Sequence, residues 1–230
     1  MKISQLNDGL TRELFCWDGF FYSSTNDRDK LHRKYLNNRL DTNFSIGNLV
    51  KSAMDPNEQV YNILDVGSGP LPFLGRKWDN KVLNIICVDL LAEEYYKLYK
   101  KYRIYPPNIP IKCDIESLSD MFPDNYFDLV YARNSIDHTQ NPLKCIKEMM
   151  VVSKKTILLE HTLNEGLKEQ YDGLHQWNFN MKNENFIIGD KNGVETVVNN
   201  VLTNVSICCN IGVEEEEGHD NWLSVIIKKL

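Results

Sequence analysis

Short apolar runs alternate with amphipathic stretches from about residue 60 onward, and that rhythm predicts the architecture. Val60 to Val66 (VYNILDV), Val82 to Leu90 (VLNIICVDL), Tyr126 to Ala132 (YFDLVYA) and Thr156 to Leu159 (TILL) read as buried strands. Ile109 to Ile115 is a shorter candidate. Between the strands, Leu91 to Tyr102 carries helical charge spacing, with Glu93 and Lys97 four apart, and Pro142 to Val152 spaces Leu143, Ile146, Met149 and Met150 as a helix does. Leu71 to Lys77, bounded by Pro70 and containing Pro72, is a short helix candidate. Strands alternating with helices imply βαβ units and a parallel sheet, an α/β doubly wound arrangement.

Two regions depart from the rhythm. Residues 1–58 are rich in aromatics and charge (Phe15, Trp17, Phe20, Phe21, Tyr22, then Asp27-Arg28-Asp29-Lys30) and predict a helical cap over one rim of the sheet. Residues 59–230 then form the main domain, one compact unit with the cap. Within it, Phe186 to Ile188 and Val194 to Val198 flank an Asn192-Gly193 turn signal and predict a small inserted hairpin. The chain finishes with a strand pair, Val205 to Ile211 and Trp222 to Ile227. The Glu214 to Glu217 run in their connection reads as a solvated turn.

Charge and cysteine usage narrow the class. The 230 residues hold 26 Lys+Arg against 32 Asp+Glu, a formal net charge of −6. A dedicated nucleic-acid binder needs a basic face, so that class is disfavoured. No apolar run reaches the roughly 18 residues of a membrane span, and Met1 to Asp8 has no secretion-signal core. Cys16, Cys87, Cys113, Cys145, Cys208 and Cys209 make no C-x-x-C pair. The apolar neighbours of Cys87 and Cys208 predict buried thiols, and a reducing cytoplasm is the expected compartment.

The residues with distinctive chemistry fall at the strand ends, where ligands of open parallel sheets bind. Asp65 closes the first strand and Gly67-Ser68-Gly69 follows it, two glycines that let the backbone turn tightly and approach a ligand closely. Asp89 ends the second strand, placed to accept hydrogen bonds from ribose hydroxyls. Asp114-Ile115 ends the third candidate, a carboxylate and an apolar side chain suited to adenine. A dinucleotide loop wants a third glycine where this chain has Pro72, and no G-x-x-x-x-G-K-[ST] occurs. A nucleoside ligand without phosphates suits the loop better.

Ile63-Leu64-Asp65-Val66-Gly67-Ser68-Gly69-Pro70, with Asp89, Asp114-Ile115 and Phe127-Asp128-Leu129-Val130 following in order, resembles the class I S-adenosylmethionine (SAM) dependent methyltransferases over about residues 60–160. The resemblance implies a seven-stranded, mostly parallel Rossmann-like sheet with an antiparallel last strand. It also implies that Asp65, Gly67, Ser68 and Gly69 surround the methionyl part of SAM. Asp89 would hold its ribose, Asp114 and Ile115 its adenine, and Arg133 and Asn134 would line the cleft. A narrower similarity, in Asn134 to Pro142, Glu160 to Gly166 and Gly173 to Phe179, is to bacterial methyltransferases of capsule and lipopolysaccharide clusters. It implies a small-molecule or sugar-linked acceptor: a carbohydrate hydroxyl, a phosphoramidate or a nucleotide-linked intermediate.

A hydroxyl acceptor needs its proton removed during attack, work that histidine commonly does. His138, His161 and His175 follow the fourth and fifth strands. His138 is the first candidate for general base, His175 the second, with Asp137 beside His138; His161 reads as structural. Asp137, Glu160, His138 and His175 could alternatively hold a divalent metal, although their spacing is not ligand-like. Trp177 and Tyr171 are either sugar platforms or packing residues. In the cap, Trp17, Tyr22 and Arg28 are candidates for closing over the cofactor. The other readings left open are a small-molecule N-methyltransferase and a non-catalytic SAM-binding partner subunit.

Overall fold

The computed structural model describes residues 3–26, 28–213 and 221–230; the Glu214 to Glu217 run lies outside them. Seven strands form one sheet in the order β3-β2-β1-β4-β5-β10-β9: β1 (Val60–Val66), β2 (Val82–Asp89), β3 (Ile111–Lys112), β4 (Phe127–Arg133), β5 (Ser153–Thr162), β9 (Val205–Gly212) and β10 (Trp222–Lys229). β1 pairs in parallel with both β2 and β4, and β4 with β5. β10 alone runs against its neighbours, antiparallel to β5 and to β9. The doubly wound, seven-stranded, mostly parallel fold is thus as the sequence implied.

Alternate side chains of the central strands feed two separate cores, as a pleat with period two requires. Ile63, Leu129, Tyr131 and Leu158 face Ile46, Val50, Ala53 and Met54. These last belong to or flank α3 (Asn48–Ala53). Leu64, Val66, Val130, Ala132, Ile157 and Leu159 face the other way, onto Ile146, Met149 and Val152 of α5 (Pro142–Val152). Pro142 opens α5 behind the Asn141 cap, whose side chain accepts a hydrogen bond from Lys144 N at 3.1 Å. A third cluster joins Phe21 of α1 (Ile3–Thr25) and Leu36 of α2 (Lys30–Leu40) to Tyr95 and Tyr99 of α4 (Ala92–Tyr102). Outside the clusters, Asp18 of α1 accepts hydrogen bonds from Lys101 and Tyr102. α1 and α2 are therefore tied to the α4 side of the sheet.

Several sequence expectations are corrected. Leu71 to Lys77 forms no helix; its last residues hydrogen-bond to another segment instead. This connection runs irregularly and lies against residues 44–46, with Arg76 N donating to Phe44 O and Ile46 N to Lys77 O. α3 covers the sheet face that a crossover helix would otherwise cover. The third strand shrinks to Ile111–Lys112, because Asp114 caps a 3-10 helix at Ile115–Asp120 through Glu116 N. The inserted hairpin, β7 (Asn185–Asp190) with β8 (Glu195–Val197), gains a third strand, β6 (Trp177–Lys182). Its apolar side chains Phe179, Phe186 and Ile188 pack on Leu223, Val225 and Ile227 of β10. Cys208 is exposed on β9, whose side chains alternate, although Cys87 is buried as expected.

Gly75 marks the tightest backbone approach in the helix-free connection. A Cβ there would stand 2.2 Å from the carbonyl oxygen of Ser45, against backbone that cannot rotate away. Gly75→Ala is expected to cost about 1–3 kcal/mol through overpacking. A urea unfolding series should show a lowered midpoint with an unchanged slope.

Candidate active site

The chain passes from β1 through β2 and β3 on one side, then returns to β4 on the other, so the loops after β1 and β4 diverge. Such a switch point opens a crevice beyond the strand ends. Here it holds a cavity of about 470 Å³. All nine residues expected to hold the cofactor line it: Asp65, Gly67, Ser68, Gly69, Asp89, Asp114, Ile115, Arg133 and Asn134. Its roof is one face of α1, Leu6, Leu10, Glu13 and Trp17, spaced four, three and four residues apart.

The glycine loop is built for close approach. Gly67 and Gly69 have φ of 63° and 64°, in the left-handed region. A Cβ on Gly67 would lie 2.4 Å from that of Ser135. The Gly67 and Ser68 amides donate to Val88 O, drawing the loop across the end of β2. Asp89 then accepts from Gly69 N at 3.0 Å and Leu91 N at 2.9 Å. Burial raises the Asp89 carboxyl above its usual range, opposed by those two amides. Asp65 has an oxygen with no hydrogen-bond partner, and burial pushes its carboxyl up to about 7.

The opposite wall gathers the histidines. Asp137 and His138 lie on a 3-10 helix at Ile136–His138 just after β4, and His175 arrives on the loop before β6. His138 and His175 line the cavity, whereas Asp137 is buried behind them at 2% exposure. Asp137 Oδ2 lies 3.2 Å from His175 Nδ1 and 3.5 Å from His138 Nε2, and the two ring nitrogens are 3.2 Å apart. Burial pushes the Asp137 carboxyl up, but the imidazoles of His138, His175 and His161 outweigh it, leaving it at about 2. Burial likewise opposes the charge on His175, yet its hydrogen bond to Asp137 and the nearby carboxylates raise it to about 9. His161 is sealed beneath, driven down to about 4 by burial, with Nδ1 3.6 Å from Asp137 Oδ1.

Other candidates sit elsewhere. Glu160 is not in the histidine cluster; it accepts from Tyr131 at 2.6 Å and Trp222 at 3.3 Å. Trp177 and Tyr171 do not line the cavity, the indole donating to Thr139 O and the phenol accepting from Asn178. Trp17 lines it, but Tyr22 and Arg28 do not, the Arg28 guanidinium lying 4.7 Å from the Tyr22 ring. In their place stand Arg39 and Glu165, which the sequence reading missed. Arg39 and Arg133 flank the Phe73 ring at 4.4 and 3.6 Å. Glu165 accepts from Asn134 Nδ2 at 3.2 Å. Only the Glu165 placement had a signal, since it falls in the stretch after β5 already noted for its polar density.

Comparison with known proteins agrees with this geometry. The family model described as a methyltransferase domain matches residues 64–157, from the end of β1 into β5. Over these residues the chain carries a methyltransferase domain. Among solved structures, the trans-methyltransferase CalH in complex with SAH is similar over 75% of this chain and 52% of that one, at 13% identity and a TM-score of 0.51. A SAM-dependent methyltransferase from Aquifex aeolicus is similar over 90% of this chain and 98% of its own, at 16% identity and a TM-score of 0.48. One from Archaeoglobus fulgidus is similar over 74% and 86%, at 14% identity and a TM-score of 0.47. The likeness to CalH speaks to fold. No curated protein matches the chain in sequence.

The cavity fits SAM on its own evidence. Its volume lies in the range of about 300–1,000 Å³ usual for small ligands. The loop has no room for side chains at Gly67, and Asp65 offers an unpartnered buried oxygen. Among the described residues no helix is long and apolar enough to cross a membrane.

A pH dependence follows from Asp65, which faces Arg39, Arg76, Arg133 and Asp89. Its carboxyl is raised to about 7, so below that pH it is largely neutral. SAM brings positive charge, which favours the ionised form and expels the proton. Affinity should therefore rise as pH climbs through about 7 and then level off, by at most about tenfold per pH unit for one linked proton. Calorimetric titration with SAM between about pH 6 and about pH 8 should show this slope, and Asp65→Asn should flatten it.

Proposed function

We propose that this protein is a SAM-dependent methyltransferase that methylates the oxygen of a small carbohydrate, phosphoramidate or nucleotide-linked acceptor used in bacterial surface-polysaccharide biosynthesis, in the cytoplasm. The observation that carries the oxygen assignment is the Asp137, His138 and His175 cluster opening onto the same cavity as the glycine loop. An amine is already nucleophilic, whereas a hydroxyl needs a proton acceptor at the moment of attack. The acceptor class is supported by the similarity of residues 134–142, 160–166 and 173–179 to methyltransferases of such clusters. The fold brings His138, Glu165 and His175 from these three segments to one cavity wall.

In this reading Asp65 and the Gly67-Ser68-Gly69 backbone hold the amino-acid end of SAM, Asp89 its ribose, and Asp114 with Ile115 its adenine. Arg133 and Asn134 border the cleft. When bound, SAM supplies an electrophilic methyl group on sulfur. Residues 1–58 act as the cap, with the α1 face from Leu6 to Trp17 excluding water. Asp137 orients the imidazoles and balances the charge on His175, and His138 stands at the cavity wall to take the acceptor proton.

His138→Ala should lower turnover by about 10²–10⁴, the usual contribution of a positioned base, while leaving SAM affinity close to wild type. An acceptor screen read by mass gain of one methyl supplies the substrate for this measurement. Methylation confined to amines, with turnover unaffected by His138→Ala, would overturn the oxygen assignment.

A further inference from the structure

We infer that Asp137, His138 and His175 form a binding site for a divalent ion of the first transition row, with its open coordination positions facing the cofactor cavity. The geometry of three atoms carries this. Asp137 Oδ2, His138 Nε2 and His175 Nδ1 make a triangle with sides of 3.2, 3.2 and 3.5 Å. An ion about 2.1 Å from three donors at tetrahedral or octahedral positions holds them roughly 3.0–3.4 Å apart. The side chains thus already stand at close to ligand spacing. They are the group of His, Cys, Asp and Glu among the described residues whose donor atoms converge in this way.

Hydrogen bonding alone serves this triangle poorly. His175 Nδ1 lies equally close to a ring nitrogen and a carboxylate oxygen, and its single N–H cannot point at both. A cation between them takes a lone pair from each of the three. Two imidazoles and one carboxylate on one side of an ion suit first-row transition metals, whereas magnesium and calcium prefer oxygen donors. The donors come from two different segments, the turn after β4 and the loop before β6, so the loop is not held by the turn alone. Arg12 of α1 steadies that loop through Asp172, at 2.6 Å.

Glu165 gives the site a direction. It lines the cavity, its Oε2 has no hydrogen-bond partner, and that oxygen is 3.9 Å from His175 Nδ1. It stands where a proton leaving an ion-bound ligand can be received. This part of the inference rests on the oxygen-methylation reading above. The acceptor hydroxyl binds the ion through oxygen and becomes more acidic, and its proton passes to Glu165. The oxygen then forms a bond to the methyl carbon, the carbon–sulfur bond breaks with its electron pair going to sulfur, and no oxidant is required. His138 is a ligand in the loaded enzyme, and Glu165 takes over as the proton acceptor.

The test uses the full chain, stripped of metal and titrated with ZnCl2 by calorimetry and with CoCl2 by visible absorption. A single equivalent of either ion should bind, Co²⁺ giving visible ligand-field bands, while MgCl2 competes poorly. His138→Ala and His175→Ala should each weaken Zn²⁺ binding by at least about tenfold, since even outer-shell changes at metal sites cost 10–100-fold. His32→Ala, on the cap, should leave it unchanged. Absence of stoichiometric binding by the unmodified chain overturns the site, as does unchanged binding in both cluster variants. Turnover on a hydroxyl acceptor that persists in excess chelator overturns the ion's role while leaving oxygen methylation standing. Tight Zn²⁺ binding with transfer only to amines supports the site and overturns the hydroxyl reading instead.

Discussion

Where β1 and β4 end side by side, two chains must leave the sheet through the space of one. Ser135 fills that space, its hydroxyl donating to Val66 O at 3.0 Å, and Gly67 passes it with no side chain of its own. This backbone contact sets the distance between the glycine loop and the turn that carries Asp137 and His138. Parallel pairing from Ile63 with Leu129 to Val66 with Ala132 holds both strands in step up to that point. The cavity, its acidic floor and its histidine wall all take their positions from it. A side chain at position 67 would push the two walls apart before it touched any ligand.

Three of the buried carboxylates along this edge of the sheet are each balanced by different means. Asp89 is held by backbone amides, which stabilise the ionised form without adding a mobile charge. Asp65 has the charges of three arginines and an unpartnered oxygen, but burial dominates and its proton is kept to about neutral pH. Asp137 is surrounded by imidazoles and stays ionised despite being as deeply buried. The fold therefore keeps one amide-held carboxyl beside the glycine loop, one proton-sensitive group at its centre, and one anion matched to histidines opposite. Separating carboxyl groups in this way is how a single cleft can carry both binding and proton-transfer chemistry at one pH.

The periodicity along the chain was enough to place β1, β2, β4, α4, α5 and the terminal strand pair, because each has a long apolar run or a full amphipathic face. It failed where local and tertiary forces compete. Leu71 to Lys77 lost its helix to docking against residues 44–46. Trp177 to Lys182 pairs with β7 as a strand with Phe179 in the core, and its apolar-polar alternation behind Asp172-Gly173 carried a signal that the reading passed over. Cys208 faces outward since β9 sits at the edge of the sheet, where only one side chain in two reaches the core.

For the site, sequence alone determined which residues line the glycine-loop half of the cavity. Asp65, Gly67, Ser68, Gly69, Asp89, Asp114 and Ile115 follow strands whose parallel order brings their ends to one edge, so position along the chain translates directly into position in space. The histidine wall was decided only by tertiary structure. His175 lies 38 residues after Asp137. Nothing in linear spacing says that the loop before β6 folds back over β4 to put Nδ1 beside that carboxylate. The same folding admits Arg39 and Glu165 to the cavity and leaves Glu160 and Arg28 outside it. Which side chains meet across a long loop depends on how the inserted sheet packs on β10, and that packing is a property of the whole core.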